Sequence, residues 1–316
     1  MLHSLLRPLA ERGHKITVLE GWEPLAGHPE YIHDGYDIDG IRVEPYRGPQ
    51  DPFPYLPTTD LFITHLQQTQ RAVSLAPWVK KKCIVLCHNT FDETAHYLDP
   101  RFLHIVLPVY NSLWQKEFLE KPYTKSHPNS LVVRPPVYVE DYHTTPGDCI
   151  ALLNLNSDKG AHVFWELSKR MRDVKFLGVV GAHGIQIIPK KIPKNVKLVQ
   201  HSSDMKSVYG QIKILLVPSI YESYGRVVQE AYASGIPAIC SPTPGLLENA
   251  GEAGIFIDRD DLDGYEAKIR SLLSNPEEWQ AVSKKALARS AEMEKISAQD
   301  LLNWVSFVEG AGYLGR

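Results

Sequence analysis

Two stacked α/β domains built on parallel sheets are what this sequence predicts. Three observations point there. Short apolar runs of strand length alternate with helically spaced apolar residues over most of the chain. The composition shifts at Arg134-Pro135-Pro136, as at an interdomain linker, and the alternation restarts at Asp148. A length of 316 residues also suffices for two domains of ordinary size, each with its own core.

Composition narrows the function classes. With 43% hydrophobic and 22% charged residues, the chain has the make-up of a globular protein, not a disordered one. A formal net charge of −3 argues against a nucleic-acid binder that relies on a broad basic surface. The four cysteines, Cys83, Cys87, Cys149 and Cys240, have no metal-ligand spacing and are expected to be structural thiols in a reducing compartment. No apolar run approaches a membrane span and the N-terminus lacks a signal-peptide layout, so stable membrane insertion is not expected and a cytoplasmic location is.

Taken in order, the first residues read as a helix stopped by Gly13, then a strand from Lys15 to Leu19. Residues 21–40 are rich in Gly, Pro, His and Asp without periodicity and are expected to form a long loop. Trp22, His28, Tyr31 and Tyr36 on it could line an acceptor pocket or decorate the surface. A strand from Ile41 to Pro45 precedes a proline-rich loop. Leu61–Thr64 and Cys83–Cys87 read as parallel strands, each followed by a histidine, His65 and His88, with a helix between them from Gln67 to Val79. Ile105–Val109 is a further strand, followed by a helix from Ser112 to about Leu119 and a short strand at Leu131–Val133.

Beyond the linker, CIALLNL reads as a strand, NSDKG as a turn and HVFWELSKRM as an amphipathic helix. The strands VKFLGVVG and VKLVQH follow, and then a short helix around Met205–Tyr209. Gly178 and Gly181 near the end of the first of these strands suit a turn close to a ligand. Ile214–Val217 has the length of a buried parallel strand, ended by Pro218. Ser223 is the expected N-cap of a helix from about Tyr224 to Ser234, and Gly235 with Pro237 stops it before a strand at Pro-Ala-Ile-Cys. Residues 261–309 read as three helices.

The chemistry concentrates in this strand–loop–helix–strand unit. Glu222 lies in the loop at the strand's carboxyl end, where open α/β sheets bind ligands, and Glu230 follows eight positions later in the helix. Two carboxylates flanking the free amides of a helix start suit a ligand with hydroxyls at both ends and phosphate in the middle. A nucleotide sugar is such a ligand; two solvated glutamates are the bland reading.

The residues PSIYESYGRVVQEAYASGIPAI, with Pro-Gly-Leu-Leu-Glu at 244–248 and GEAGIFID at 251–258, resemble the donor domain of retaining, GT-B-fold glycosyltransferases of family 4, glycosyl transferases group 1. The resemblance is specific there and weak over nearly all the rest. It implies a GT-B-like fold, two Rossmann-like domains with a cleft between them. The acceptor domain would be 1–135, the donor domain 136–297, and a final helix at 298–316 would pack back on the first, making Trp304 and Phe307 packing residues. The family's first strand and glycine-rich turn have no counterpart, so a shortened N-terminal domain with a gap or rearranged strand order is expected.

The resemblance also implies roles. Glu222 would contact hydroxyls of the transferred sugar, and Glu230 the ribose of a UDP- or GDP-linked donor. Lys159 would meet the pyrophosphate, while the family's arginine five residues earlier is replaced by Asn154. Arg226 could compensate or be a solvated surface residue. The amides of Gly245, Leu246 and Leu247 would meet phosphate and sugar although Pro244 has none to give, and Glu248 would cap or brace that loop. His88 would face the donor sugar; His65, Asn89, Thr90, Asp92 and Glu93 are candidates for the acceptor. With no Asp-x-Asp, HExxH or cysteine cluster read as a metal motif, no metal and no further cofactor are expected. The expected activity is sugar transfer with retention to an unknown acceptor. The alternatives are another GT-B reaction, such as nucleotide-sugar epimerisation or nucleic-acid glycosylation, or a partner-dependent, non-catalytic role.

Overall fold

Burial of apolar strand faces under amphipathic helices organises each half of the chain. The computed structural model describes residues 2–21, 34–46, 53–91, 98–99, 102, 104–122, 127, 129–181 and 184–313. The chain divides into two compact units, one of Met1–Asn111, Lys116–Pro136 and Ala298–Arg316, the other of Ser112–Gln115 and Val137–Ser297.

The first unit starts with α1 (Leu2–Glu11), followed by β1 (Ile16–Gly21), β2 (Tyr36–Ile38) and β3 (Ile41–Tyr46). Then come β4 (Leu61–His65), α2 (Thr69–Leu75), β5 (Lys82–Cys87) and β6 (Val106–Tyr110). Helix α3 (Leu113–Glu120) and β7 (Leu131–Val132) complete the series. Among the described residues these seven strands lie in two sheets, ordered β1-β3-β2 and β4-β5-β6-β7. One apolar cluster nevertheless joins Ile41 of the first sheet to Ile84, Leu86, Leu107 and Val109 of the second, under Leu5, Leu6 and Leu9 of α1.

Part of the stretch expected to be a loop is a hairpin. β2 pairs antiparallel with β3 through Ile38 and Ile41, and the two turn residues, Asp39 and Gly40, both have positive φ, 48° and 75°. A two-residue turn with left-handed angles matches the twist of the strands it joins, and Asp-Gly is a preferred pair for it. The proline-rich stretch likewise holds 3₁₀ turns, over Phe53–Thr58.

The second unit opens with the short helix α4 (Val139–Tyr142). β8 (Cys149–Leu153), α5 (Ala161–Arg170), β9 (Phe176–Val180) and β10 (Val196–Gln200) follow. Next are α6 (Met205–Tyr209), β11 (Ile212–Val217), α7 (Arg226–Tyr232) and β12 (Ala238–Cys240). α8 (Pro244–Ala250), β13 (Ile255–Phe256), α9 (Leu262–Ser274) and α10 (Pro276–Tyr313) end the chain. All six strands are parallel in the order β10-β9-β8-β11-β12-β13, the doubly wound Rossmann arrangement. Strands covered on both faces should be apolar throughout, and Ile214, Leu215, Leu216 and Val217 of β11 are all buried. The order reverses between β8 and β11, and the carboxyl ends of two such strands are where open α/β sheets bind ligands.

The C-terminal stretch corrects the expectation of separate helices beyond Pro276. α10 runs unbroken for 38 residues, because no glycine or proline interrupts the segment between Glu294 and Gln299 where a break was expected. Residues of α10 from Ala298 onward belong to the first unit, where Trp304 is fully buried and its indole N–H donates to the Leu5 carbonyl at 2.7 Å. Burial of such a side chain is worth roughly 2–3 kcal/mol. In the same unit Asp300 accepts from the amide and guanidinium of Arg134 at 3.1 and 3.0 Å. Among the described residues, no helix is long and apolar enough to cross a membrane.

Candidate functional site

The loops leaving β8 and β11 meet at the switch point of the second unit. Ile220 donates its amide to the Asp158 carbonyl at 2.9 Å, and the Arg259 guanidinium ties the carbonyls of Pro218 and Ser157 together. Gly160 has φ +89°, and a Cβ there would sit 2.7 Å from the Pro218 carbonyl oxygen, so only glycine allows this approach. The consequence is that Lys159 reaches Glu222. Its ammonium donates to Glu222 Oε1, which also accepts from the Ser219 hydroxyl at 2.9 Å. The Glu222 side chain is 13% exposed and that of Lys159 33%, so the pair lies at the surface of the crevice, with water able to reach the ammonium.

A second close approach fixes the other side. A Cβ on Gly245 would lie 2.2 Å from the Glu222 carbonyl oxygen, which seats the start of α8 directly on the Glu222 backbone. Pro244 is the first residue of α8, where its missing N–H costs the helix nothing, and Thr243 is the N-cap. The Leu247 amide already donates to the Thr243 carbonyl at 2.9 Å, which withdraws it from the three donors expected there; those of Gly245 and Leu246 remain. Leu246 is fully buried, while Leu247 is 46% exposed.

Helix α7 begins later than expected. Its N-cap is Gly225, with φ +80°, in place of Ser223. The Ser223 carbonyl instead accepts from the Ser112 hydroxyl and the Trp114 indole, both at 2.8 Å. Glu248 is a brace: its two oxygens accept from the amides of Leu113 and Trp114, at 3.0 and 2.9 Å, at the start of α3.

Glu230 sits in the second turn of α7, 7% exposed. Tyr209 donates its hydroxyl to one carboxylate oxygen at 2.8 Å, and Arg226 Nε lies 3.3 Å from the other. Arg226 donates in turn to the Tyr142 hydroxyl at 3.0 Å. Burial and then the Glu230 charge push both phenols up, Tyr142 to about 12 and Tyr209 well above its ordinary value. Both phenols are therefore neutral near neutral pH. Arg226 is part of this network, not a solvated residue.

Asn154 adopts φ 73° and accepts from the Gln186 amide at 2.7 Å, while Gln186 Oε1 accepts from the amides of Leu155 and Gly181 at 2.9 and 3.2 Å. It fastens the β8 loop to the β9 loop. Tyr142, Tyr209, Gln186, Ser219 and Arg259 are the site residues that sequence reasoning missed. Ser219 alone stood inside the motif; the others come from segments whose proximity only the fold creates.

His65 and His88 are in the first unit, at the ends of β4 and β5. Their rings meet edge to face with centroids 5.0 Å apart. Burial, then repulsion from His65, pushes His88 down to about 4, and burial lowers His65 as well, so both are neutral near neutral pH. The Asn89 side chain accepts from the Phe91 amide at 3.2 Å and shapes the turn beyond β5. Trp22, Asp92 and Glu93 lie outside the described residues.

Contrary to the sequence reading, Asp-x-Asp triplets do occur, at 37–39, 258–260 and 261–263, and four of their six acids have structural uses. Asp37 pairs with Arg42 and Asp39 with His3, Asp263 pairs with Arg170, and Asp261 caps α9. Among the described residues, no group of three or more His, Cys, Asp or Glu could hold a metal ion.

Residues 153–289 match the family model of glycosyl transferases group 1. Residues of the chain are 31% identical over 80 positions to the O-antigen chain mannosyltransferase B of Escherichia coli, covering 25% of this chain and 21% of that protein. They are 35% identical over 77 positions to D-inositol 3-phosphate glycosyltransferase of Corynebacterium glutamicum, covering 24% and 18%. The match thus spans about a fifth of the length of these relatives. Among solved structures, HepE of Anabaena in complex with UDP-glucose superposes with a TM-score of 0.72 at 14% identity, over 96% of this chain and 94% of that one. Sucrose-phosphate synthase from Thermosynechococcus elongatus gives 0.65 at 17%, over 94% and 90%. These likenesses show a GT-B-like fold.

Proposed function

We propose that the chain is a glycosyltransferase that moves a sugar from a nucleoside-diphosphate sugar to an acceptor hydroxyl with retention at the anomeric carbon. The observation that carries this reading is the meeting of Lys159 and Glu222 at the β8/β11 switch point, beside the start of α8 with its Gly245 and Leu246 amides. The match to glycosyl transferases group 1 over 153–289 covers all of these residues.

The division of labour follows from charge. The Lys159 ammonium takes the pyrophosphate, whose negative charge grows as the glycosidic bond breaks. The amides of Gly245 and Leu246 add neutral donors beside it. Glu222, released from Lys159, accepts from hydroxyls of the sugar, and Glu230, held by Tyr209 and Arg226, accepts from those of the ribose. On the family resemblance, His88 is assigned to the sugar, and His65 and Asn89 to the acceptor. Attack on the face the diphosphate leaves, with the leaving phosphate taking the acceptor proton, would give retention without a covalent intermediate.

A thermal-shift panel of UDP- and GDP-linked sugars tests the reading. A donor at about 100 times its dissociation constant should stabilise the chain by ~2.7 kcal/mol. Labelled donor then separates transfer from epimerisation. Failure of every nucleotide sugar to bind would refute the proposal, and binding without turnover would favour a partner-dependent protein.

A further inference from the structure

The connection from β9 to β10 is unusual for neighbouring parallel strands, which are ordinarily joined through a helix. Here residues 185–194, Ile-Gln-Ile-Ile-Pro-Lys-Lys-Ile-Pro-Lys, form no helix, and Pro189 and Pro193 each remove a donor that one would need. The segment is held firmly. The Ile187 amide donates to the Leu155 carbonyl at 2.7 Å, and the Ile187 carbonyl accepts from the Trp165 indole at 2.7 Å. At its far end the Asn195 amide reaches the carbonyls of Ser168, Met171 and Val174 at 2.9–3.0 Å.

Held in this way, the segment presents its apolar side chains to water. Ile185 is 89% exposed, and Ile187, Ile188 and Ile192 are 42–43% exposed. One exposed isoleucine is ordinary, but four within eight residues make a patch that the fold itself does not use. Lys190, Lys191 and Lys194 stand exposed among them, and no carboxylate among the described residues pairs with any of the three. The sequence from 174 to 203 contains no Asp or Glu, in a chain whose net charge is −3.

We propose that this segment docks the protein on an anionic phospholipid surface, the isoleucines entering the boundary between headgroups and acyl chains and the lysines meeting lipid phosphates. Apolar side chains combined with positive charge are what such a boundary selects. A bilayer fits better than a protein partner. The segment has no helix face and pairs only through an isolated bridge from Gln186 to Asn156, and its charges are all lysine point charges with no arginine fork for directed pairing.

The test is co-sedimentation of the full chain with vesicles of phosphatidylcholine mixed with phosphatidylglycerol, against phosphatidylcholine alone. Binding should require the anionic lipid and weaken with salt. A lysine near such a surface is worth roughly fivefold in partitioning, so the double variant Lys190→Glu, Lys191→Glu should bind at least ~20-fold less. Ile185→Ser with Ile188→Ser should weaken binding at least ~10-fold with an unchanged melting temperature, since these side chains support no core. A solvent-sensitive dye on Ile185→Cys, selective because the four native cysteines are buried, should shift to the blue on mixed vesicles. The proposal is overturned by absence of binding to mixed vesicles, by full binding in both double variants, or by an unshifted dye. It also fails if the isoleucine substitutions instead dissolve a dimer seen without lipid, because the patch would then belong to a second copy.

Discussion

The ammonium of Lys159 is bonded to the carboxylate of Glu222, so the groups proposed to hold pyrophosphate and sugar neutralise one another directly. The two substitutions should therefore differ. Lys159→Ala removes a charge from the phosphate site and should weaken free UDP or GDP binding about 10–100-fold, the worth of one charge-assisted hydrogen bond. Glu222→Ala frees Lys159 and should leave that binding equal or tighter, while turnover falls at least ~100-fold. Calorimetry with both nucleotides, beside an assay with sugar donors, reads the difference; equal loss of nucleotide binding in the two variants would make the pair merely structural.

Glu230 should behave as a nucleoside contact. Glu230→Gln keeps an oxygen for the Tyr209 hydroxyl but loses the charge opposite Arg226. Nucleotide affinity should drop by roughly 10–100-fold while inorganic pyrophosphate binding stays unchanged. Competition calorimetry with pyrophosphate separates the two ends of the site.

How much of this was legible depended on distance along the chain. The β11–α7–β12 unit was readable because Ile214–Val217, Pro218, Gly235 and Pro237 punctuate it locally. The start of α7 was misread, since Ser223 is a sound cap by type but its carbonyl is held by Ser112 and Trp114, more than a hundred residues away. Tyr142 and Tyr209 carry no local mark of chemistry; only the Rossmann strand order brings them to Glu230. The Asp39-Gly40 hairpin was different, for its turn signal was present and the surrounding glycines and prolines masked it.

The histidine pair should impose a pH dependence on the first unit. His88 and His65 are lowered in the folded state, so the unfolded chain binds more protons once the pH falls below the ordinary imidazole value. Stability is fully present above about 6.5 and should decline as the pH falls toward about 4. The decline is on the order of 1–3 kcal/mol after allowing for the solvent that reaches the rings. Denaturant midpoints measured across that window should show the slope, and His88→Asn should flatten it. A midpoint independent of pH in the native chain would contradict the buried, neutral pair.

Gly245 tests whether backbone packing sets the position of Glu222. Gly245→Ala places a Cβ 2.2 Å from the Glu222 carbonyl oxygen, closer than real contacts allow, and no flexible side chain is there to give way. Either α8 or the 218–225 loop must move, at a cost of about 1–3 kcal/mol. Because the same loop carries the Glu222 carboxylate, the displacement should also separate it from Lys159, and donor turnover should fall by more than the stability loss explains. Gly13→Ala serves as a control: its φ of +86° strains the new side chain, yet nothing lies within 4 Å of the added Cβ and the residue stands outside the site. That variant should lose stability while donor turnover per folded molecule is kept. Equal turnover in the two variants at matched folded fraction would show that Glu222 does not depend on the seat of α8.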